Sequence, residues 1–188
     1  MEYKAARRSL QGFPVQFAVL GFLTESPAHG YALRTRIAEG LGPLWQIASS
    51  QLYQVLHKLE TQDWVSCRVG DPAGGPARKI YRLTDEGRAA FAAWANEPVL
   101  NIRDLRVELL AKLYFLRRHA PGNVASLIEQ QLKILREVRG RVAGHEATIG
   151  DDTAIDQAWA DLRCRTIDTC VEWLRRHAES FCTPKENG

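Results

Sequence analysis

Six side chains between Ser50 and Thr61 share one direction if that segment is helical. At about 100° per residue, Ser50, Gln54, His57 and Thr61 fall on one side, with Tyr53 and Lys58 at its edges. Hydroxyl, amide and imidazole groups in a row along a helix match the donors and acceptors of base edges in the major groove of duplex DNA. Gln54 carries the amide suited to bidentate pairing with adenine, and Lys58 is placed to neutralise phosphate. Ser49, Ser50 and Gln51 stand at the helix start, within reach of the same groove. The plain alternative is a solvated polar side, which any surface helix has. A second set of groups weighs against that alternative. Arg78 and Lys79 follow a glycine-rich tip, with Arg68 before it and Arg82 just beyond. Cations on a hairpin can reach phosphate or a minor groove, although they can also serve only to discourage sheet-edge aggregation. Helix and hairpin agree, which favours DNA. His29 and Tyr31 open an earlier helix, where phosphate contacts would join its backbone N–H groups; core packing suits Tyr31 equally well.

Other chemistries fit poorly. Cys67 and His57 are the only nucleophile–base pair in the first half. The alternation of its strand turns Cys67 toward the core, whereas His57 lies on the exposed helix side. No glycine-rich phosphate loop, nucleophile elbow or carboxylate pair is present, so neither catalytic residues nor an enzyme is expected. The four cysteines (Cys67, Cys164, Cys170, Cys182) form no C-x-x-C pair and have no histidine at zinc-ligand spacing. Reduced thiols, no metal and no cofactor are the expectation.

The elements that must position these groups can be read from periodicity. Pro14 opens a helix with Val15, Phe17–Leu20, Phe22 and Leu23 as its apolar body, closed at Glu25-Ser26-Pro27. A second helix is expected over His29–Glu39, stopped by Gly40 and Gly42-Pro43. Leu44–Ile47 alternates as a brief strand would. The third helix runs from Ser49 to about Gln62, anchored by Leu52, Val55, Leu56 and Leu59 at i, i+3, i+4 and i+7. The period then drops to two. Val65, Cys67 and Val69 form one apolar strand face, and Tyr81 and Leu83 another, across a turn-rich tip from Gly70 to Pro76. Thr84 caps a fourth helix that begins with acidic residues and ends before Pro98.

The second half is helical throughout. One helix covers about Asp104–His119. The next has Val124, Ile128, Gln131, Leu135, Val138 and Val142 at alternating steps of four and three. The last repeats that spacing with Ile155, Trp159, Leu162, Thr166, Thr169 and Trp173. Such spacing makes a seam along which helices pack, either within the chain or between two copies; both are expected, with Trp159 and Trp173 partly intermolecular. The fold class is therefore mainly α with a small β-hairpin wing. Residues 1–98 form a winged helix-turn-helix domain and residues 99–188 an all-α helical domain. Flat aromatic walls favour flat ligands, so Trp94, Trp159 and Trp173 are candidate effector contacts, although core packing is the commoner role of such residues.

Bulk composition supports an ordinary globular protein: 188 residues, 45% apolar and 25% charged. The net charge of +3 divides into +2 for residues 1–98 and +1 for the rest. Any affinity for DNA must therefore come from where the charges sit. No stretch approaches the roughly 20 apolar residues needed to cross a bilayer, and a cytoplasmic location is expected, with no membrane partner.

His29-Gly30-Tyr31, Leu52-Tyr53-x-x-Leu56-x-x-Leu59-Glu60 and Arg78-Lys79-x-Tyr81-Arg82-Leu83-Thr84-Asp85-Glu86-Gly87 resemble the PadR family of transcriptional regulators in order and spacing. Arg106–Tyr114 resembles the opening of the helical C-terminal domain of many members, so the likeness spans about residues 15–180. It implies a repressor-like homodimer joined through its C-terminal helices, which presents two winged heads to a palindromic DNA operator. It also implies that the helix containing Tyr53 enters the major groove with the hairpin beside it, and that a small aromatic molecule can act as effector. The sequence departs from the family where Ala48-Ser49-Ser50-Gln51 replaces Ser-Pro-Gly-Thr, which shifts the expected cap to Ser49. Ile80 stands where tyrosine is common, and the tip carries fewer arginines. A winged-helix protein-interaction module that does not bind DNA is the competing reading.

Overall fold

The computed structural model describes residues 15–70, 79–144 and 153–183. Helix α1 (Val15–Glu25) is buried at every position from Val15 to Leu23, as an apolar helix surrounded by others must be. Pro27 prevents its continuation, and Ala28–His29 forms the two-residue strand β1. Helix α2 (Gly30–Leu41) buries Leu33, Ile37 and Leu41, one per turn. The N–H groups of Leu44 and Trp45 both bond to the carbonyl of Leu41, at 2.8 and 2.9 Å. These bonds make a compact turn where the periodicity suggested a strand over Leu44–Ile47. The third strand of the sheet is Ala28–His29 instead.

Helix α3 (Ser49–Thr61) buries Leu52, Val55, Leu56 and Leu59. Asp63 reverses the chain with φ of 56°, in the left-handed region that aspartate tolerates better than most residues. Strands β2 (Val65–Val69) and β3 (Lys79–Leu83) then pair antiparallel, Val65 opposite Leu83 and Val69 opposite Lys79. Strand β1 adds to the other edge of β3, giving the order β1-β3-β2. Val65, Tyr81 and Leu83 are buried, but Val69 is 67% exposed, because the hairpin runs out past the core. Thr84 joins hairpin and helix. Its hydroxyl donates to the carbonyl of Asp63 at 2.6 Å and accepts from the N–H of Gly87 at 3.0 Å, capping α4 (Asp85–Asn96).

Two compact units emerge. The first comprises the residues up to Ala95 together with Arg106–Phe115, the middle of α5 (Ile102–His119). Its core is aromatic. Trp94 stacks on Phe17 with centroids 5.0 Å apart, and Phe115 meets Phe22 and Phe91 edge-on at 5.2 and 5.4 Å. Gly21 leaves room for this, since a β-carbon there would stand 2.5 Å from the Phe115 ring. Within the same core Lys112 is wholly buried, its ammonium 3.2 Å from Glu108 and 5.1 Å from the Trp94 ring centroid. The Trp94 indole N–H donates to the same carboxylate oxygen at 3.0 Å.

The second unit comprises Asn96–Leu105 and the residues from Leu116 onward. A single 3-10 turn, Pro121–Asn123, leads into α6 (Val124–Gly144), which packs with α7 (Thr153–Cys182). Gln131 lies buried in α6, where its amide accepts from the N–H of Val99 at 2.6 Å and donates to its carbonyl at 2.9 Å. Arg139 and Asp168 bridge the two helices through paired bonds of 3.0 and 3.2 Å. The buried positions of α7 are Ile167 and Leu174, with Cys164, Val171 and Ala178 half-buried alongside. This corrects the expectation that the seam packs within the chain. Of the stripe Ile155, Trp159, Leu162, Thr166, Thr169 and Trp173, none is buried, and Ile155 and Leu162 are 52% and 66% exposed. Helix α7 carries two apolar stripes, and spacing alone cannot say which one the chain itself covers. Among the described residues no helix is long and apolar enough to cross a membrane.

Candidate nucleic-acid interface

The polar side of α3 is open. Ser49, Ser50, Gln51, Gln54, His57 and Thr61 are exposed, Tyr53 is 51% exposed, and Lys58 is intermediate. The leucine and valine stripe holds the helix from beneath, so its position does not depend on these groups. The N-cap is Ala48, in extended conformation with no side-chain bond, and Ser49 is the first helical residue. The expected cap at Ser49 is therefore not formed: that serine already has helical geometry, and the first-turn N–H groups receive no cap from a side chain.

A cleft of about 780 Å³ lies between the start of α2, the exposed side of α3 and strand β3. Tyr31, Tyr53, His57 and Lys79 all line it. Four residues from distant parts of the sequence, each expected from sequence to touch DNA, thus share one concavity. Ser49, Ser50, Gln51, Gln54 and Lys58 lie on α3 outside its lining. Arg78 lies outside the described residues. Lys79, Arg68 and Arg82 are exposed on the hairpin strands.

Local structure explains how the cleft is held. Strand β1 pairs Ala28 with Tyr81 and His29 with Ile80, which fixes β3 beside the start of α2. His29 caps α2: its Nδ1 accepts from the N–H of Ala32 at 3.1 Å, leaving Nε2–H as a donor. Its ring lies 6.3 Å from that of Tyr31, nearly parallel. Gly30 allows the Tyr53 ring to rest against the start of α2, for a β-carbon there would meet that ring at 2.7 Å. Glu60 and Tyr81 also line it, and neither is expected from sequence to touch DNA. The signal missed was β1. Two residues are too few to show a period, yet they bring the Tyr81 strand to α2. Burial raises the Tyr81 phenol above its ordinary range, with smaller contributions from Cys67 and Glu60.

The remaining candidates lie elsewhere. Burial, then Glu60, pushes the Cys67 thiol up, opposed by Lys79, so it is less of a thiolate than a free cysteine. Among the described residues no group of three or more histidine, cysteine or acidic side chains is arranged to hold a metal ion. Trp94 is wholly buried in the first unit and offers no open wall to an effector, because the apolar side of α4 carries it onto Phe17. Trp159 and Trp173 are half-buried on α7. Arg163 lies over the ring of Trp159, and His177 and Phe181 lie beside Trp173. Fourteen residues separate these two tryptophans, roughly 21 Å of helix rise, so they do not wall a single pocket for a small flat ligand within one chain.

Comparison with known proteins gives these features a context. Residues 19–93 match the transcriptional regulator PadR-like family. The chain is 30% identical over 183 residues to “Probable transcriptional regulator Rv1176c” of Mycobacterium tuberculosis, covering 87% of this chain and 95% of that one. It is 26% identical over 121 residues to the negative transcriptional regulator PadR of Bacillus subtilis, 63% of this chain and 65% of that one. The crystal structure of Bacillus subtilis PadR in complex with operator DNA aligns with a TM-score of 0.45 and 20% identity, covering 89% of this chain and 98% of that one. A match to the family over the winged unit, and a relative 30% identical along nearly its whole length, place this chain in the PadR-like family of transcriptional regulators.

Proposed function

We propose that this regulator binds duplex DNA sequence-specifically, with α3 in the major groove and the β2–β3 hairpin on the adjacent backbone. One observation carries the reading: the polar side of α3 is open, and Tyr53 and His57 from that side share a cleft with Tyr31 and Lys79. Gln54 reads a base edge, Ser49, Ser50 and Gln51 approach the groove at the helix start, and Lys58, Lys79 and Arg78 neutralise phosphate. DNA contact belongs to residues 1–98 and self-association to residues 99–188. A homodimer joined through the C-terminal helices presents two such heads to a palindromic operator, with half-sites about 34 Å apart. The uncovered stripe of α7 supports the pairing. Repression is the expected sign, as for the negative regulator of Bacillus subtilis, and a small aromatic molecule is the candidate effector, with the half-buried Trp159 and Trp173 as candidate contacts at separate points along α7. The chain acts in the cytoplasm as a regulator and not as an enzyme, a reading supported by its membership of a family of transcriptional regulators.

Selection of bound sequences from random duplexes tests this directly. The expected result is an inverted repeat whose complex weakens steeply with salt. No enrichment, or a complex indifferent to salt, would overturn the reading and favour a protein-interaction module.

A further inference from the structure

We infer that Arg34 on α2 is a contact to the DNA backbone, held in place by Tyr31 and lying outside the reading helix; this rests on the DNA-binding reading above. Tyr31 is 67% exposed, and the Arg34 guanidinium stands 5.8 Å from its ring centroid, one helical turn further on. The two side chains form a bridge between two concavities. Tyr31 lines the cleft shared with His57 and Lys79. Arg34 lines a second groove, of about 490 Å³, with Thr35, Ala38, Gln46 and Ile47. Ile47, part of that lining, immediately precedes the Ala48 cap of α3. A polyanion following α2 from Lys79 toward the start of α3 would therefore pass over Arg34.

The other arginine of α2 shows the contrast. Arg36 is half-buried and donates to the carbonyl of Ser26 at 3.1 Å, which commits it to the fold. The hydroxyl of Thr35 is likewise occupied, donating to the carbonyl of Tyr31 at 3.2 Å. Arg34 is exposed, and its guanidinium lies over the Tyr31 ring. A guanidinium over an aromatic ring keeps its edge N–H groups for two oxygens of a phosphate. Glu39 shares the groove and supplies opposing charge. It stands five residues further along α2, so the contact is placed at the Tyr31 end.

The test measures binding of the full chain to its selected duplex and to a random duplex by fluorescence anisotropy, across a series of salt concentrations. Arg34→Ala and Arg34→Gln should each weaken both duplexes by the same factor, about three- to tenfold, and lower the log–log salt slope by about one. Arg34→Lys should restore the slope but not all of the affinity. Gln54→Ala is the counterpart, reducing the preference for the selected duplex while leaving the slope unchanged. Unaltered affinity and slope in both Arg34 variants, alongside wild-type binding, would overturn the inference alone. So would a loss confined to the selected duplex, which would make Arg34 a base reader. Wild-type protein that binds neither duplex removes the underlying reading and this inference with it.

Discussion

The ring of Tyr53 stands where a side chain on Gly30 would begin, with its Cε1 and hydroxyl oxygen 2.7 and 2.8 Å from the position of that β-carbon. The contact seats the Tyr53 ring against the start of α2 through a residue whose only contribution is its lack of bulk. Gly30→Ala separates binding from folding. Tyr53 is half-exposed, so its ring can swing into solvent and relieve the clash at small cost, about 0.5 kcal/mol or less in stability. Binding should suffer more, because the displaced ring enters the cleft shared with His57 and Lys79. The expectation is a thermal midpoint within a few degrees of wild type and at least fivefold weaker binding to the selected duplex, measured by melting and titration. Normal affinity would show that the position of Tyr53 is irrelevant to DNA.

A second prediction concerns the charged group inside the aromatic core. The buried Lys112 ammonium sits 3.2 Å from Glu108, and the Trp94 N–H donates to the same carboxylate oxygen. Trp94→Phe keeps a ring against Phe17 but removes the donor, and should cost about 1–3 kcal/mol. Lys112→Met takes the cation from a buried carboxylate and should cost about 3–5 kcal/mol. Adding Glu108→Leu to Lys112→Met should recover only part of that loss, since two apolar side chains need no partners but the buried Trp94 N–H is left without its acceptor. Urea midpoints of the three variants decide it. A Lys112→Met protein as stable as wild type would mean that the pair does not form.

Much of the first unit was legible because its signals are local and redundant. Leu52, Val55, Leu56 and Leu59 mark both the helix and its buried side, and thereby leave Ser50, Gln54 and His57 outward. Thr84 with Asp85 and Glu86 announces a helix start, which the bond from Gly87 makes good. What escaped was nonlocal. Ala28–His29 becomes a strand only because β3 runs beside it, and Leu44–Trp45 becomes a turn because both N–H groups reach back to Leu41. The cleft depends on that pairing, so its Glu60 and Tyr81 walls could not be seen before the fold. Trp94 is a further case: its ring type makes it a candidate effector contact as readily as a core residue, and only the fold shows that Phe17, 77 residues earlier, stacks on it.

Acid should loosen the α6–α7 pair in a specific way. The hydrogen bond from Arg139 holds the Asp168 carboxyl below its ordinary value of 3.8, opposed by desolvation and reinforced by the charge of Arg139. A depressed carboxyl stabilises the fold above the unfolded value, and that contribution fades as pH falls through the folded one. Wild type should therefore exceed Asp168→Asn in urea midpoint at pH 7, by a small margin given the exposure of both partners. The margin should shrink toward zero below pH 4 and also at high salt. A margin that grows in acid would contradict the assignment.

The last prediction addresses the stripe that α7 leaves uncovered. Ile155 and Leu162, 52% and 66% exposed, lie roughly a third of the way around the helix from Ile167 and Leu174, which the chain buries itself. Trp159 falls between them on that side, its ring partly covered by Arg163. Three large apolar residues at steps of four and three form the pattern by which helices join lengthwise, and on a lone chain they would spend that surface on water. If they are the seam between two copies, Leu162→Asp sets two carboxylates near a twofold axis, where both repulsion and desolvation oppose association. Sedimentation velocity should then show a dimer for wild type and a monomer for the variant, with urea unfolding of the monomer still cooperative. DNA binding should fall much further than any single contact to phosphate explains, because each head then binds its half-site alone and the gain from linking two sites is lost. A Leu162→Asp protein that stays dimeric would place the interface on another surface of the helical half.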